Sequence, residues 1–265
     1  MKKIFMIAAV ALLTLGMASC GKDDDNTNDN NQNTPTNPTN PTNPTNPTNP
    51  TNPNDTTQTA RQRTEGQWVD LGLSVQWYSV NLGATAPEQY GDYYAWGEVY
   101  PRSIYTWDTY SYGDRSYDSA SDSYTYTMYK YNTSADYGTV DNKTTLEAAD
   151  DAATAALGNG ARIPTKAEWQ ELLDNTTPEW TTVNNVYGRK FTASNGNSLF
   201  LPAAGYRNGS SLYGGGTFGD YWSASLNETN PNYAWSMIFN SDGQYVCNYG
   251  YRYYGQSVRA VRSQN

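Results

Sequence analysis

Hydrophobic residues fall into three zones along this chain. Ile4 to Leu15 is an apolar run, broken only by Thr14, behind Lys2 and Lys3. Crossing a bilayer takes roughly 20 apolar residues, so the run is too short to span. It fits the ~7–15 residues of a signal-peptide core. From Asn26 to about Asp55 the chain is Asn, Thr, Pro and Asp with one Gln, and nothing there can build a core to offset the entropy of ordering. Within it, Thr36–Pro53 is six tandem Thr-Asn-Pro copies. A proline every third residue biases the backbone toward polyproline II.

The third zone alternates short apolar stretches with turns. Trp68–Val80, Asp92–Trp96, Leu199–Tyr206, Tyr221–Ser225 and Ala234–Asn240 read as strands. Asn240-Ser241-Asp242-Gly243 predicts a hairpin turn, with Asp-Gly supplying positive φ. Gln244–Tyr249 would then pair back onto Ala234–Asn240, and Ser257–Arg262 would close the chain with Val258 and Ala260 on one face.

Two helices are predicted. Thr144-Thr145-Leu146-Glu147 has the spacing of a capping box, and the alanine-rich run behind it ends at Leu157 with Gly158 as C-cap. Leu146, Ala149 and Ala153 share one face. The second helix starts from Thr165 with Glu168 three residues on, and Trp169, Leu172 and Leu173 form its apolar stripe. Few helices, many short strands and long loops predict an α+β domain. The zones divide the chain into a signal segment (1–19), a stalk (20–65) and one domain (66–265). About 200 residues suffice to bury a single core. An extended stalk at ~3.1 Å per residue would reach on the order of 100 Å.

Composition removes several function classes. The chain has no histidine, which excludes a histidine base, a Ser–His or Cys–His dyad and a His-ligated metal. Its cysteines are Cys20 and Cys247 alone, too few for Cys-rich structural zinc. The formal charge of −9, without a basic cluster, argues against nucleic acid. Gly214-Gly215-Gly216-Thr217-Phe218-Gly219 has G-x-G-x-x-G spacing, but a strand follows it where a dinucleotide site needs a helix, so it reads as a loop. No cofactor is predicted. Glu98, Glu168, Glu171, Asp220, Glu228 and Asp242 include no pair whose spacing marks a glycosidase.

The candidate chemistry lies in Tyr245-Val246-Cys247-Asn248-Tyr249-Gly250-Tyr251-Arg252-Tyr253-Tyr254-Gly255. On a strand Tyr245, Cys247, Tyr249, Tyr251 and Tyr253 all point the same way. The chain holds 24 tyrosines against 5 phenylalanines, and a buried row of hydroxyls is hard to satisfy. Tyrosine mixed with Ser, Gly and Asn is the vocabulary of a paratope, and Arg252 adds a cation that can stack or pair. The expected contact residues are Tyr245, Asn248, Tyr249, Tyr251, Arg252, Tyr253 and Tyr254. The competing reading is an exposed aromatic ladder that binds nothing.

Several motifs resemble known ones. Gly16-Met17-Ala18-Ser19-Cys20 resembles a bacterial lipobox, with Met17 where leucine is usual, which implies an acylated Cys20 and a membrane anchor. Gly21-Lys22-Asp23-Asp24-Asp25 resembles the acidic export signal of Bacteroidetes surface lipoproteins, which implies an outer-membrane protein facing the exterior. Asp55-Thr56-Thr57 and Asp118-Ser119-Ala120 resemble O-glycan attachment sites of the same bacteria.

Six stretches of the domain, in order, resemble the Fibrobacter succinogenes major paralogous domain. They are Trp68–Trp77, Tyr90–Glu98, Arg162–Trp169, Leu201–Arg207, Tyr221–Ser225 and Ser257–Arg262. The resemblance implies a C-type-lectin-like fold of the formylglycine-generating-enzyme branch. That branch's oxidase uses a cysteine pair, so its activity is not implied here. The calcium signature of sugar-binding C-type lectins is also missing. In such folds loops near the C-terminus carry ligand contacts, which adds Tyr213 and Asn232 from two loops of similar vocabulary. Some of these domains are diversified by retroelements, and the Tyr/Asn/Ser/Asp mixture suits that.

The expected function is therefore a lipid-anchored surface binding or adhesion protein, not an enzyme. Its ligand would be a glycan or a host or bacterial surface protein. A structural or accessory subunit of a surface appendage is the alternative, and a carboxylate-pair hydrolase the third reading.

Overall fold

The computed structural model describes residues 56–158 and 160–264. Cys20, the signal segment, the Thr-Asn-Pro repeats and Asp55 lie outside the described residues.

The strands are β1 (Trp68–Val69), β2 (Val75–Asn81), β3 (Tyr93–Tyr94), β4 (Gly113–Asp118), β5 (Ser123–Met128), β6 (Thr176–Val183), β7 (Val186–Ala193) and β8 (Ser198–Pro202). They continue with β9 (Tyr206–Asn208), β10 (Ser211–Tyr213), β11 (Gly219–Leu226), β12 (Tyr233–Phe239), β13 (Gln244–Tyr251), β14 (Gln256–Ser257) and β15 (Arg259–Ser263). The helices are α1 (Ala152–Leu157) and α2 (Lys166–Asn175). The architecture is α+β, as expected: small sheets with few helices.

A five-stranded sheet in the order β13-β12-β11-β14-β3 organises the molecule. Its pairings are antiparallel except β11 with β14, where Tyr221 faces Ser257 in parallel. Every residue of β11 is buried. Successive side chains of a strand point to opposite faces, and this sheet buries both. Trp222, Ala224 and Ala234 join Trp96, Val258 and Ala260 in one cluster. Tyr221, Met237 and Phe239 join Trp77, Trp169, Leu172, Phe191 and Val261 in another. Three buried indoles find backbone acceptors between elements: Trp96 Nε1 donates to the Ser223 carbonyl at 2.8 Å, Trp222 Nε1 to that of Tyr94 at 2.7 Å, and Trp169 Nε1 to that of Trp222 at 3.1 Å, whereas the buried Trp77 Nε1 meets no acceptor among the described residues.

The quoted motifs interlock. Thr165 and Glu168 form the capping box of α2. The Arg162 guanidinium donates to Glu168, while its backbone exchanges hydrogen bonds with Val261. In the closing strand, Arg259 is fully buried and donates to the Asn81 carboxamide at 2.8 and 3.1 Å.

The structure differs from expectation in four places. The first helix is capped by Asp151, whose carboxylate accepts from the Ala153 and Thr154 amides, and not by Thr144. Thr145 instead bridges Ser225, and Glu147 goes to Lys130 and Lys143. The 240–243 turn is closed by Asn240, whose side chain accepts from the Asp242 and Gly243 amides, without positive φ at Gly243. Two unexpected hairpins appear, β4–β5 and β6–β7. Finally, residues 57–65, read in the sequence as the end of the stalk, run along the domain as a strap. Thr59 N–H donates to the Pro101 carbonyl (2.8 Å), Gln62 N–H to Asp92 (2.7 Å) and Glu65 N–H to the Ala84 carbonyl (3.0 Å). The folded unit therefore takes in Thr57 onward.

Candidate ligand-contact surface

The C-terminal tyrosines do not form one exposed row. Strand β13 pairs with β12 through a register shift: Ala234 faces Gly250, but Ser236 faces Cys247. The extra residue is a β-bulge, which inverts the side-chain alternation. Tyr245 pairs with Ile238 and Tyr251 with Tyr233. Positions 238 and 233 have opposite parity, so the two tyrosines point to opposite faces. Tyr245 is exposed, and Tyr251 turns into a third, aromatic cluster. The side chains of Asn248 and Tyr249 lie outside the described residues.

Three expected contact residues are core. Arg252 is fully buried. Its Nε–H donates to the Tyr110 hydroxyl, and its remaining donors reach the carbonyls of Lys130 (2.9 Å), Tyr131 (3.2 Å) and Pro231 (2.9 Å). The guanidinium stands over the rings of Trp96, Tyr110 and Tyr131. A cation so enclosed staples three segments and has no path to a ligand. Tyr253 is 8% exposed, packed on Trp107 at 5.0 Å. Asn232 is 3% exposed and accepts the Arg252 amide through its carbonyl.

Burying tyrosines works where the hydroxyl meets an acceptor placed for it. Tyr93 donates to the Ala204 carbonyl (2.6 Å), Tyr105 to that of Tyr93 (2.6 Å), Tyr110 to that of Trp96 (2.8 Å) and Tyr112 to Asp150 (2.7 Å). Burial raises the pKa of all four phenols, so they remain donors.

A row of surface tyrosines is drawn from four segments, and Tyr213, Tyr251 and Tyr254 in it were expected. Tyr213 stacks on Tyr206 (5.5 Å, 19°), Tyr206 leans on Tyr254 (4.9 Å), and Tyr254 meets Tyr251 edge-on (5.6 Å). Tyr251 then stacks on Tyr233 (4.4 Å) and on Tyr126 of β5 (6.4 Å). Tyr213 is exposed and the other five are half-buried. Burial, then the neighbouring Tyr251, pushes the Tyr126 phenol up to about 12.

The backbone explains why these segments meet. Gly205 (φ +62°) lets β9–β10 fold back so closely that a Cβ there would lie 1.9 Å from the Tyr213 carbonyl oxygen. Arg207 and Gly255 exchange backbone hydrogen bonds of 2.7 and 3.0 Å, which sets Tyr206 beside Tyr254. Tyr206, Tyr233 and Tyr126 were missed in the sequence, although the Tyr124/Tyr126 alternation in β5 is visible once that stretch is read as a strand.

Three of the six candidate carboxylates are occupied otherwise. Glu98 is a buried ion pair with Arg102, further bound by the Ser111 amide at 2.8 Å. Glu168 belongs to the helix cap, and Glu171 accepts the Ser74 amide at 2.9 Å. Ser119 stands exposed at the tip of the β4–β5 hairpin. A groove of about 500 Å³ is lined by Ser79, Pro87, Glu179, Lys190 and Phe200, and contains none of the expected contact residues.

A family model described as a domain of unknown function (DUF8237) matches residues 172–262, which takes in all of the aromatic row except Tyr126. No curated protein and no solved structure matches the chain.

Proposed function

We propose that this chain is a binding module displayed on the bacterial surface. In this reading Cys20 carries the lipid anchor in the outer membrane, the Asn/Thr/Pro stretch lifts the domain from the membrane, and the row Tyr213–Tyr206–Tyr254–Tyr251 touches the ligand. Its fold is C-type-lectin-like, of the Fibrobacter succinogenes major paralogous type, on the strength of the six ordered motifs.

The observation that carries the proposal is the row itself. Stacked, half-buried tyrosines are rigid and present large amphipathic area at low entropic cost, as in paratopes. Because the rings cover one another, they turn edges and hydroxyls outward more than faces. A protein or peptide surface suits that better than a sugar ring, which needs an open face to stack on. One feature favours the second reading, an assembly subunit: the β4–β5 hairpin exposes Tyr117 and Tyr124, paired at 5.1 Å.

The test takes residues 21–265 and the same chain with Tyr206, Tyr213 and Tyr254 changed to serine. Both go over a glycan array and a panel of mucus and cell-surface proteins, with near-ultraviolet circular dichroism confirming the fold. Losing anchors worth ~2 kcal/mol or more each should abolish detectable binding. Undiminished binding by the folded variant would put the contact surface elsewhere.

A further inference from the structure

We propose that strand β5 is a pairing edge for a second copy of this chain, and that two β4–β5 hairpins join across a two-fold axis at Thr125 into one four-stranded sheet. The inference is independent of the ligand reading of the aromatic row and gives the exposed hairpin its partner.

The first observation is access. β4 and β5 form a sheet of their own, paired from Gly113 and Met128 to Asp118 and Ser123 without a register shift. Every residue from Ser116 to Thr125 is exposed. Among the described residues, no backbone hydrogen bond outside the hairpin uses Ser123–Thr127. The chain comes close only toward the far end of β5, where a Cβ on Gly138 would lie 3.4 Å from the Met128 carbonyl oxygen. An open edge presents unpaired N–H and C=O groups, a template for another strand.

The second is charge. β4 reads Gly-Asp-Arg-Ser-Tyr-Asp and β5 reads Ser-Tyr-Thr-Tyr-Thr-Met. Sheet edges are ordinarily blunted by charge, proline or a bulge. β4 carries Asp114, Arg115 and Asp118, whereas β5 has none of these devices, in a chain of formal charge −9. Two β4 strands paired about Ser116 would set Asp114 opposite Asp118, and like charges directly opposite destabilise a pair. Two β5 strands bring no charges together.

The third is self-complementarity. Antiparallel β5 strands centred on Thr125 set Tyr124 opposite Tyr126, Thr125 opposite itself and Ser123 opposite Thr127. Aromatic pairs and hydroxyl pairs of this kind are favourable across strands. The tyrosines fall on the hairpin face that already holds Tyr117, 5.1 Å from Tyr124, and the Arg115 guanidinium, 4.2 Å over the Tyr124 ring. The two faces would merge into one aromatic strip. Both copies use the same residues, as a closed two-fold interface requires. The charged β4 strands are left outermost, so the sheet stops at the dimer. A five-residue edge is small beside the ~1,200 Å² of a stable interface, so the pairing is weak and reversible in solution. Chains tethered to one surface would meet at a higher effective concentration.

The experiment takes residues 21–265 to sedimentation equilibrium at up to about 1 mM, with near-ultraviolet circular dichroism confirming each fold. The parent should show a monomer–dimer equilibrium. Thr125→Lys and Thr125→Glu each set like charges at the axis and should weaken association at least ten-fold. An equimolar mixture of the two should recover it, since opposite charges then face each other. Thr125→Cys should cross-link to itself on mild oxidation, because paired antiparallel residues stand ~4.5–5.5 Å apart at Cα, within disulfide reach. Ser116→Cys, the exposed cross-strand neighbour of Thr125, should cross-link no more than the parent. A parent that stays monomeric, a Thr125→Lys chain that dimerises as tightly, or equal cross-linking by the two cysteine variants overturns the proposal. Assemblies that grow beyond the dimer overturn the two-fold closure. These variants leave Tyr206, Tyr213 and Tyr254 in place, so dimerisation and ligand binding fail or stand separately.

Discussion

Arg252 donates its Nε–H to the Tyr110 hydroxyl at 2.8 Å in the interior of the domain. Its other donors hold the carbonyls of Lys130, Tyr131 and Pro231. Removing the guanidinium leaves these acceptors buried and unmet, at ~1–3 kcal/mol each. Arg252→Met is expected to lower the unfolding free energy by about 3 kcal/mol or more, read from urea denaturation. Arg252→Lys should recover little, since one ammonium cannot span the same acceptors. A near-neutral Arg252→Met would mean that the carbonyls find other donors.

Glu98 and Arg102 should behave as a unit. Their side chains are 2% and 4% exposed. Breaking such a pair leaves a buried charge and costs roughly 3–5 kcal/mol. Glu98→Leu and Arg102→Met should each destabilise by that order, and the double variant by clearly less than their sum. A double-mutant cycle in urea measures the coupling, and strict additivity would refute it.

Asp92 should make stability depend on pH in an unusual direction. Burial raises its pKa from 3.8 to about 6, against the lowering effect of the Gln62 amide. The native state then binds a proton more readily than the unfolded one, so this group's contribution to stability falls as pH rises from about 4 to 6 and is level above. The difference is at most about 3 kcal/mol. Unfolding midpoints of parent and Asp92→Asn, followed across that window, should diverge with the parent gaining on acidification. Parallel curves would show that the carboxyl titrates normally.

The strap should be part of the stable unit. A chain starting at Gly66 loses the Gln62 amide on Asp92 and the Thr57 hydroxyl that receives Arg102 at 2.9 Å. Hydrogen bonds to charged groups contribute ~1.5–3 kcal/mol each. Thermal melts of chains beginning at Thr56 and Gly66 should therefore differ by at least about 2 kcal/mol. Superimposable melts would restore the boundary at residue 66.

How much of this could be read from residues alone depends on the range of the interactions. Helix α2 is written locally: Thr165, Glu168, Trp169 and Leu172 sit in the expected roles. The pairing of β13 on β12 follows from the Asn240–Gly243 turn, and Val258 and Ala260 do share a cluster. The false capping box at Thr144 failed because tertiary partners, Ser225 for Thr145 and two lysines for Glu147, outcompete a local motif. The site was harder. Alternation assumes one residue per step, and the β13 bulge breaks it between Tyr245 and Tyr251. Whether a tyrosine is core or surface depends on an acceptor elsewhere in the chain, as with Tyr93 and the Ala204 carbonyl 111 positions away. Tyr213 and Tyr254 reached the surface as expected, while Arg252, Tyr253 and Asn232 went inside.

The strap also decides how the domain bears load. A pull applied through the residues before Thr57 reaches the fold first along 57–66. There the amides of Thr59, Gln62 and Glu65 engage successive partners on the domain, and Gly66 N–H meets the Tyr78 hydroxyl at 2.9 Å. Bonds strung out along a line yield one after another when peeled, and together when sheared. Pulled so that it peels, the strap would give way first and return some ten residues of slack before the aromatic interior feels any force.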